Sequence, residues 1–148
     1  MTRRELREHC FKMLFCADFY NTEEAKMQLE QYFQAPEEDE TTPEGNTKIL
    51  HQVELNDSYR EYIQNRVEDI MAHLEILDEK INEVAEGWKT KRMGKVELTI
   101  LRLAVYELQF DDEIPERVAI NEAVELAKKF GGSEAPGFVN GILAKLVG

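Results

Sequence analysis

Between Leu98 and Leu108 the chain carries apolar side chains on almost every side of a helix: Leu98, Ile100, Leu101, Leu103, Val105, Tyr106 and Leu108. A helix at a protein surface keeps one apolar stripe, whereas one that is apolar all round has to be enclosed by several others. This one segment therefore demands a bundle with a helix at its centre. The rest of the chain has to supply helices with one apolar face each.

The pattern elsewhere does so. Leu6, Cys10, Met13, Leu14 and Ala17 recur at helical spacing and predict a first helix. Asn21 or Thr22 can cap a second, running to about Phe33 with Ala25, Leu29, Tyr32 and Phe33 inward. Residues 35–47, with two prolines, a glycine and the acidic run Glu37-Glu38-Asp39-Glu40, read as an exposed acidic loop. A long helical pattern follows Asn56 through Tyr59, Tyr62, Ile63, Val67, Ile70 and Met71, then Leu74, Ile76, Leu77, Ile81, Val84 and Ala85, with a break expected near His73 to Leu77. After the central helix, Asp111-Asp112-Glu113 ends one element and Pro115 suits the first turn of the next. Gly131-Gly132 provides a stop, and Ser133 can cap a last helix with Pro136 in its first turn. No alternation suggests a strand. The expectation is an all-α, single-domain bundle of about seven helices in two helical halves, spanning residues 1–148.

Charge narrows the partners. The formal net charge is -12, which disfavours indiscriminate binding to nucleic acid, but it is unevenly spread. Residues 1–22 hold Arg3, Arg4, Arg7 and Lys12 against three acids, and residues 23–88 hold 18 acids against five bases. Residues 89–95 then carry Lys89, Lys91, Arg92 and Lys95 with no acid. Surface potentials decay over about 8 Å at physiological salt, so local clusters decide where an anion docks. No apolar run approaches the roughly 20 residues of a membrane span. The N-terminus lacks a signal-peptide core, so a cytoplasmic protein is expected. Cys10 and Cys16 point in different directions on one helix, which makes a disulfide between them unfavourable.

The first helix holds the clearest binding pattern. Beside its apolar face lie Arg3, Arg4, Arg7, Phe11 and Phe15. Guanidiniums pair with phosphates, and unpaired bases stack on aromatic rings for about 1–3 kcal/mol each. The alternative is that the two rings widen the core face and the arginines are merely solvated. His9, His51 and His73 lack metal-ligand spacing, and no nucleophile–base pairing, glycine-rich phosphate loop or calcium loop is legible, so neither an enzyme nor a metal or cofactor is expected. Asn121 and Asn140, at the edges of apolar runs, could cap helices or satisfy buried backbone groups. Arg102 on the central helix is expected to form an internal ion pair. For Glu97 and Glu107, internal pairing and a partner contact both stay open.

Arg3-Arg4, Arg7-Glu8 and Leu14-Phe15 resemble the N-terminal arginine-rich motif of the NusB transcription antitermination factors. Ile100-Leu101-Arg102-Leu103-Ala104 with Tyr106-Glu107-Leu108 looks like that family's fifth helix. Ile114-Pro115, Val118 to Leu126 with Ala127-Lys128, and Phe138-Val139-Asn140-Gly141 with Leu143 extend the match to nearly the whole chain. The resemblance implies a protein without catalytic activity that binds boxA RNA of nascent ribosomal RNA transcripts. It would do so with NusE, the ribosomal protein S-ten, and join the RNA polymerase antitermination complex. By position, it assigns RNA contacts to Arg3, Arg4, Arg7, Phe15 and Phe138, and partner contacts to Glu97 and Glu134. Monomer and homodimer are both compatible with it. Other readings of the same resemblance are the NusB-like domain of a ribosomal RNA cytosine methyltransferase, or a helical adaptor that binds only protein.

Overall fold

A computed structural model of the chain describes residues 2–17, 39–41, 47–49, 57–86 and 89–147. Among them are six α-helices: α1 (Arg3–Ala17), α2 (Asp57–Ala72), α3 (Leu74–Val84), α4 (Lys95–Phe110), α5 (Glu116–Phe130) and α6 (Ala135–Val147). A single 3-10 turn, Thr90–Arg92, precedes α4. The helix expected between Asn21 and Phe33 lies outside the described residues.

The expected all-round apolar helix is the hub. Residues Leu98 to Glu107 of α4 are all buried, and α4 packs against α1, α2, α3, α5 and α6. On one flank α1 also packs on α2; on the other, α5 packs on α6 and α3 reaches α6. The two expected halves therefore share one central helix. Burying ten consecutive residues encloses polar groups too, and each of these is bonded. Arg102 reaches Asp78 of α3 through Nε and Nη2, both at 2.8 Å, the internal pair expected of it. The Thr99 hydroxyl donates to the Lys95 carbonyl at 2.7 Å, and Glu107 meets Arg7 of α1.

Helix ends follow local chemistry. Thr2 caps α1, its Oγ1 accepting the Glu5 N–H at 3.1 Å, in a Thr-x-x-Glu arrangement that favours a helix start. The break between α2 and α3 falls at His73, whose ring Nδ1 lies 2.7 Å from the Asp69 carbonyl and takes up a group at the helix end. Gly131 closes α5, with its N–H on the Ala127 carbonyl at 2.9 Å. A Cβ at Gly131 would crowd both Ala135 and that carbonyl, so glycine also allows the tight turn into α6. Arg66 of α2 ties itself to the α4–α5 turn through Asp111 at 2.6 Å and stacks over the Tyr62 and Tyr106 rings at 5.0 and 5.3 Å.

Three expectations need correction. Residues 35–47 are not wholly irregular: β1 (Asp39–Thr41) pairs antiparallel with β2 (Thr47–Ile49), Glu40 opposite Lys48. Three-residue strands are too short to show an alternating pattern. Tyr62 and Ile76, both members of the apolar helical pattern, are 41% and 46% exposed rather than part of its buried face, and the Tyr62 ring lies under the Arg66 guanidinium. Asn121 and Asn140 are exposed within α5 and α6, so they neither cap helix ends nor satisfy buried backbone.

Candidate nucleic-acid interface

The arginines of α1 fall into different environments. Arg3 and Arg4 are exposed at its first turn. Arg7, expected at the RNA surface, is only 9% exposed; its Nε donates to Glu107 Oε1 at 2.8 Å, and Glu107 is 3% exposed. Burial pushes the Glu107 carboxyl above the usual carboxylate range, and the adjacent Arg7 offsets only part of that rise. A buried carboxylate needs such a partner to stay charged, so Arg7 is held as much by Glu107 as by its own helix. The alternative of a merely solvated Arg7 is excluded by its pairing with Glu107, a partner 100 positions away in sequence.

Arg4 points to α5. Its Nε and Nη2 meet Glu122 Oε2 and Oε1 at 3.0 and 2.9 Å, and burial is low for Arg4 and high for Glu122, at 62% and 18% side-chain exposure. Glu122 also stands 3.8 Å from Arg7 Nη1. One turn further along α1, Glu8 accepts from Lys129 of α5 at 2.7 Å, while Lys128 lies 3.3 Å from Glu125 on its own helix. The open question about the aromatic pair resolves by residue. Phe11 is core, 3% exposed, with its ring 5.0 Å from that of Phe130 and 6.1 Å from that of Phe15. Phe15 is half-buried, packed against the core without being enclosed by it. Lys12 and Lys129 sit over Phe130 at 5.9 and 5.5 Å.

The remaining assigned residues lie at helix starts. Glu134 is exposed immediately before α6, and its carbonyl accepts the Phe138 N–H at 3.1 Å. Phe138, in the first turns of α6, is half-buried against the core, as Val139, Ile142 and Leu143 fill the inward stripe. Glu97 occupies the first turn of α4 with its carboxylate folded back against Gly94. The structure thus joins Arg4 and Arg7 through Glu122, and joins Glu134 and Phe138 on one turn. Sequence reasoning missed Glu122, Lys128 and Lys129. Glu122 and Lys129, seven apart, share a face of α5, but periodicity alone does not say which helix that face meets.

The NusB family model matches residues 4–147. The chain belongs to the NusB family. Two relatives named transcription antitermination protein NusB are each 46% identical to it. That of Lachnoclostridium phytofermentans aligns over 147 residues, 99% of each chain, and that of Agathobacter rectalis over 145 residues, 98% of each. Solved structures agree. T. maritima NusB superposes with a TM-score of 0.78 at 32% identity, covering 99% of this chain and 90% of that one. A chain from a crystal structure of the antitermination factors NusB and NusE in complex with double-stranded RNA superposes with a TM-score of 0.71 at 26% identity, covering 99% of this chain and 97% of that one. No helix among the described residues is long and apolar enough to cross a membrane.

Proposed function

We propose that this protein is a cytoplasmic, non-catalytic transcription antitermination factor. It binds boxA-type RNA of nascent ribosomal RNA transcripts together with NusE and joins the RNA polymerase antitermination complex. The observation that carries this reading is the end-to-end family match, because a family member has been solved with both NusE and RNA. Relatives matched along 99% and 98% of their own length are named as antitermination proteins, which disfavours the methyltransferase-domain reading.

The side chains divide the work. Arg3 and Arg4 are the exposed cations of α1 and contact phosphate. Phe15 and Phe138 are half-buried rather than enclosed in the core, and their rings are the stacking surfaces of this reading. Arg7, tied to Glu107, positions the helix and the Glu122 carboxylate and touches RNA at most through its outer edge. Glu97 and Glu134 offer carboxylates for a basic partner such as NusE. With a net charge of -12, the protein gains from a partner that supplies cations of its own.

The test is an anisotropy titration of a labelled boxA-type RNA, against a scrambled RNA of the same composition, at fixed salt with NusE present. Preferential binding of the boxA-type RNA supports the reading. Equal binding of both, or binding of NusE with no RNA, refutes it, the latter in favour of the protein-only adaptor.

A further inference from the structure

A groove of about 370 Å³ runs between α1 and α5. It is lined by four cations, Arg4, Arg7, Lys128 and Lys129, and three carboxylates, Glu8, Glu122 and Glu125. In a chain with a net charge of -12 this is a local excess of positive charge, and Lys12 stands beside it over the Phe130 ring. The cations are already partnered. Arg4 grips Glu122 through two nitrogens, the same fork that an arginine offers to a phosphate. Lys129 holds Glu8 at 2.7 Å.

The two sides of these pairs are unequally exposed. Arg4 and Lys129 are 62% and 57% exposed, whereas Glu122 and Glu8 are 18% and 21% exposed. The carboxylates are the more covered members of each pair, and the cations keep more than half of their side-chain surface in solvent. Exposed pairs of this kind contribute little to stability and exchange readily. A phosphate approaching from solvent therefore meets the cations first. When Arg4 turns to it, Glu122 is not stranded, because Arg7 Nη1 is already 3.8 Å away.

We propose that the α1–α5 groove is a phosphate subsite for the RNA strand, occupied in the free protein by Glu122, which an RNA phosphate displaces from Arg4. Lys129 contributes a second phosphate contact by the same exchange with Glu8. Glu122 thereby sets a threshold: stray anions compete poorly with a tethered carboxylate, and an RNA already held elsewhere on the surface competes well. The proposal rests on the RNA-binding reading above.

Anisotropy titrations with a labelled boxA-type RNA and saturating NusE test it. Glu122→Gln should tighten binding by about two- to fivefold, the scale of a released exposed ion pair. Glu122→Asp, which keeps the charge near Arg7 but shortens its reach to Arg4, should move in the same direction. Glu116→Gln, an equal change of charge at the exposed start of α5, should give a smaller gain. In an Arg4→Ala background the Glu122→Gln gain should vanish. Arg4→Ala and Lys129→Ala should each weaken binding and lower the salt slope by about 0.7. Weaker binding by Glu122→Gln, or an undiminished gain without Arg4, overturns the displacement: Glu122 would then position Arg4 or act through net charge. Unchanged binding by both Arg4→Ala and Lys129→Ala removes the groove from the interface while RNA recognition stands. Failure of the unmodified protein to bind the RNA with NusE sinks the functional reading itself.

Discussion

Replacing Arg7 by alanine should destabilise the fold, although an arginine in the first helix of an RNA-binding protein would ordinarily be expected to cost only affinity. Arg7 and Glu107 are 9% and 3% exposed and bonded at 2.8 Å. Removing one member of a buried pair leaves an uncompensated charge, at a cost of about 3–5 kcal/mol. For a chain of this size each kcal/mol lowers Tm by about 2–4 °C, so a loss of roughly 6–20 °C is expected. The pH dependence carries a further signature. Burial already raises the Glu107 pKa, and the pull of Arg7 opposes it. Without Arg7 the folded-state pKa rises further, so the folded protein holds that proton more tightly than the unfolded chain, whose carboxyl titrates at about 4.3. The stability this proton confers is fully present below that value and is lost as pH rises through the folded pKa. The Arg7→Ala penalty should therefore be largest at neutral pH and shrink in acid. Arg7→Leu combined with Glu107→Leu should recover much of the loss, since apolar pairs replace buried ion pairs at little cost. Thermal unfolding followed by circular dichroism at 222 nm, between pH 4.5 and 8, measures all of this. An Arg7→Ala protein within about 2 °C of the parent at every pH would refute the reasoning and return Arg7 to the RNA surface.

Other perturbations separate core from surface. Leu14, 2% exposed, should cost about 2–5 kcal/mol on truncation to alanine in urea unfolding, with RNA affinity of the folded fraction unchanged. Phe138→Ala should lower the affinity of the RNA–NusE complex by more than about 1 kcal/mol in calorimetry; a loss of stability with unaltered affinity would make the ring purely structural. Cys10 is 1% exposed with its thiol pushed up to about 12 by burial, whereas Cys16 is exposed. A thiol reagent at neutral pH should accordingly label Cys16 in the native protein and reach Cys10 only on unfolding.

The parts of the fold legible in the sequence are those set by local rules. The apolar circumference of α4 announced its central place before any neighbour was known, and Gly131 and the His73 region marked real ends because backbone chemistry acts over a few residues. The candidate site was less legible, because its decisive contacts join distant segments. Arg7 lies beside the apolar stripe of α1 in any helical projection. Whether it is solvated or buried depends on Glu107, and whether Arg4 is free depends on Glu122, 118 positions away. Phe11 and Phe15 looked equivalent by spacing, but Phe130 of α5 covers one and leaves the other half open. Arg102 was easier: a lone arginine on an otherwise apolar helix has to find an acid, and Asp78 supplies it.

The central claim is that this acidic protein recognises RNA jointly with NusE. It is tested most directly by titrating a boxA-type RNA with this protein alone, with NusE alone and with both, across a range of salt. A large gain in affinity for the pair, with a salt slope steeper by about 0.7 for each phosphate contact the partner adds, is the predicted result. Equal affinity and equal slope with and without NusE would contradict it.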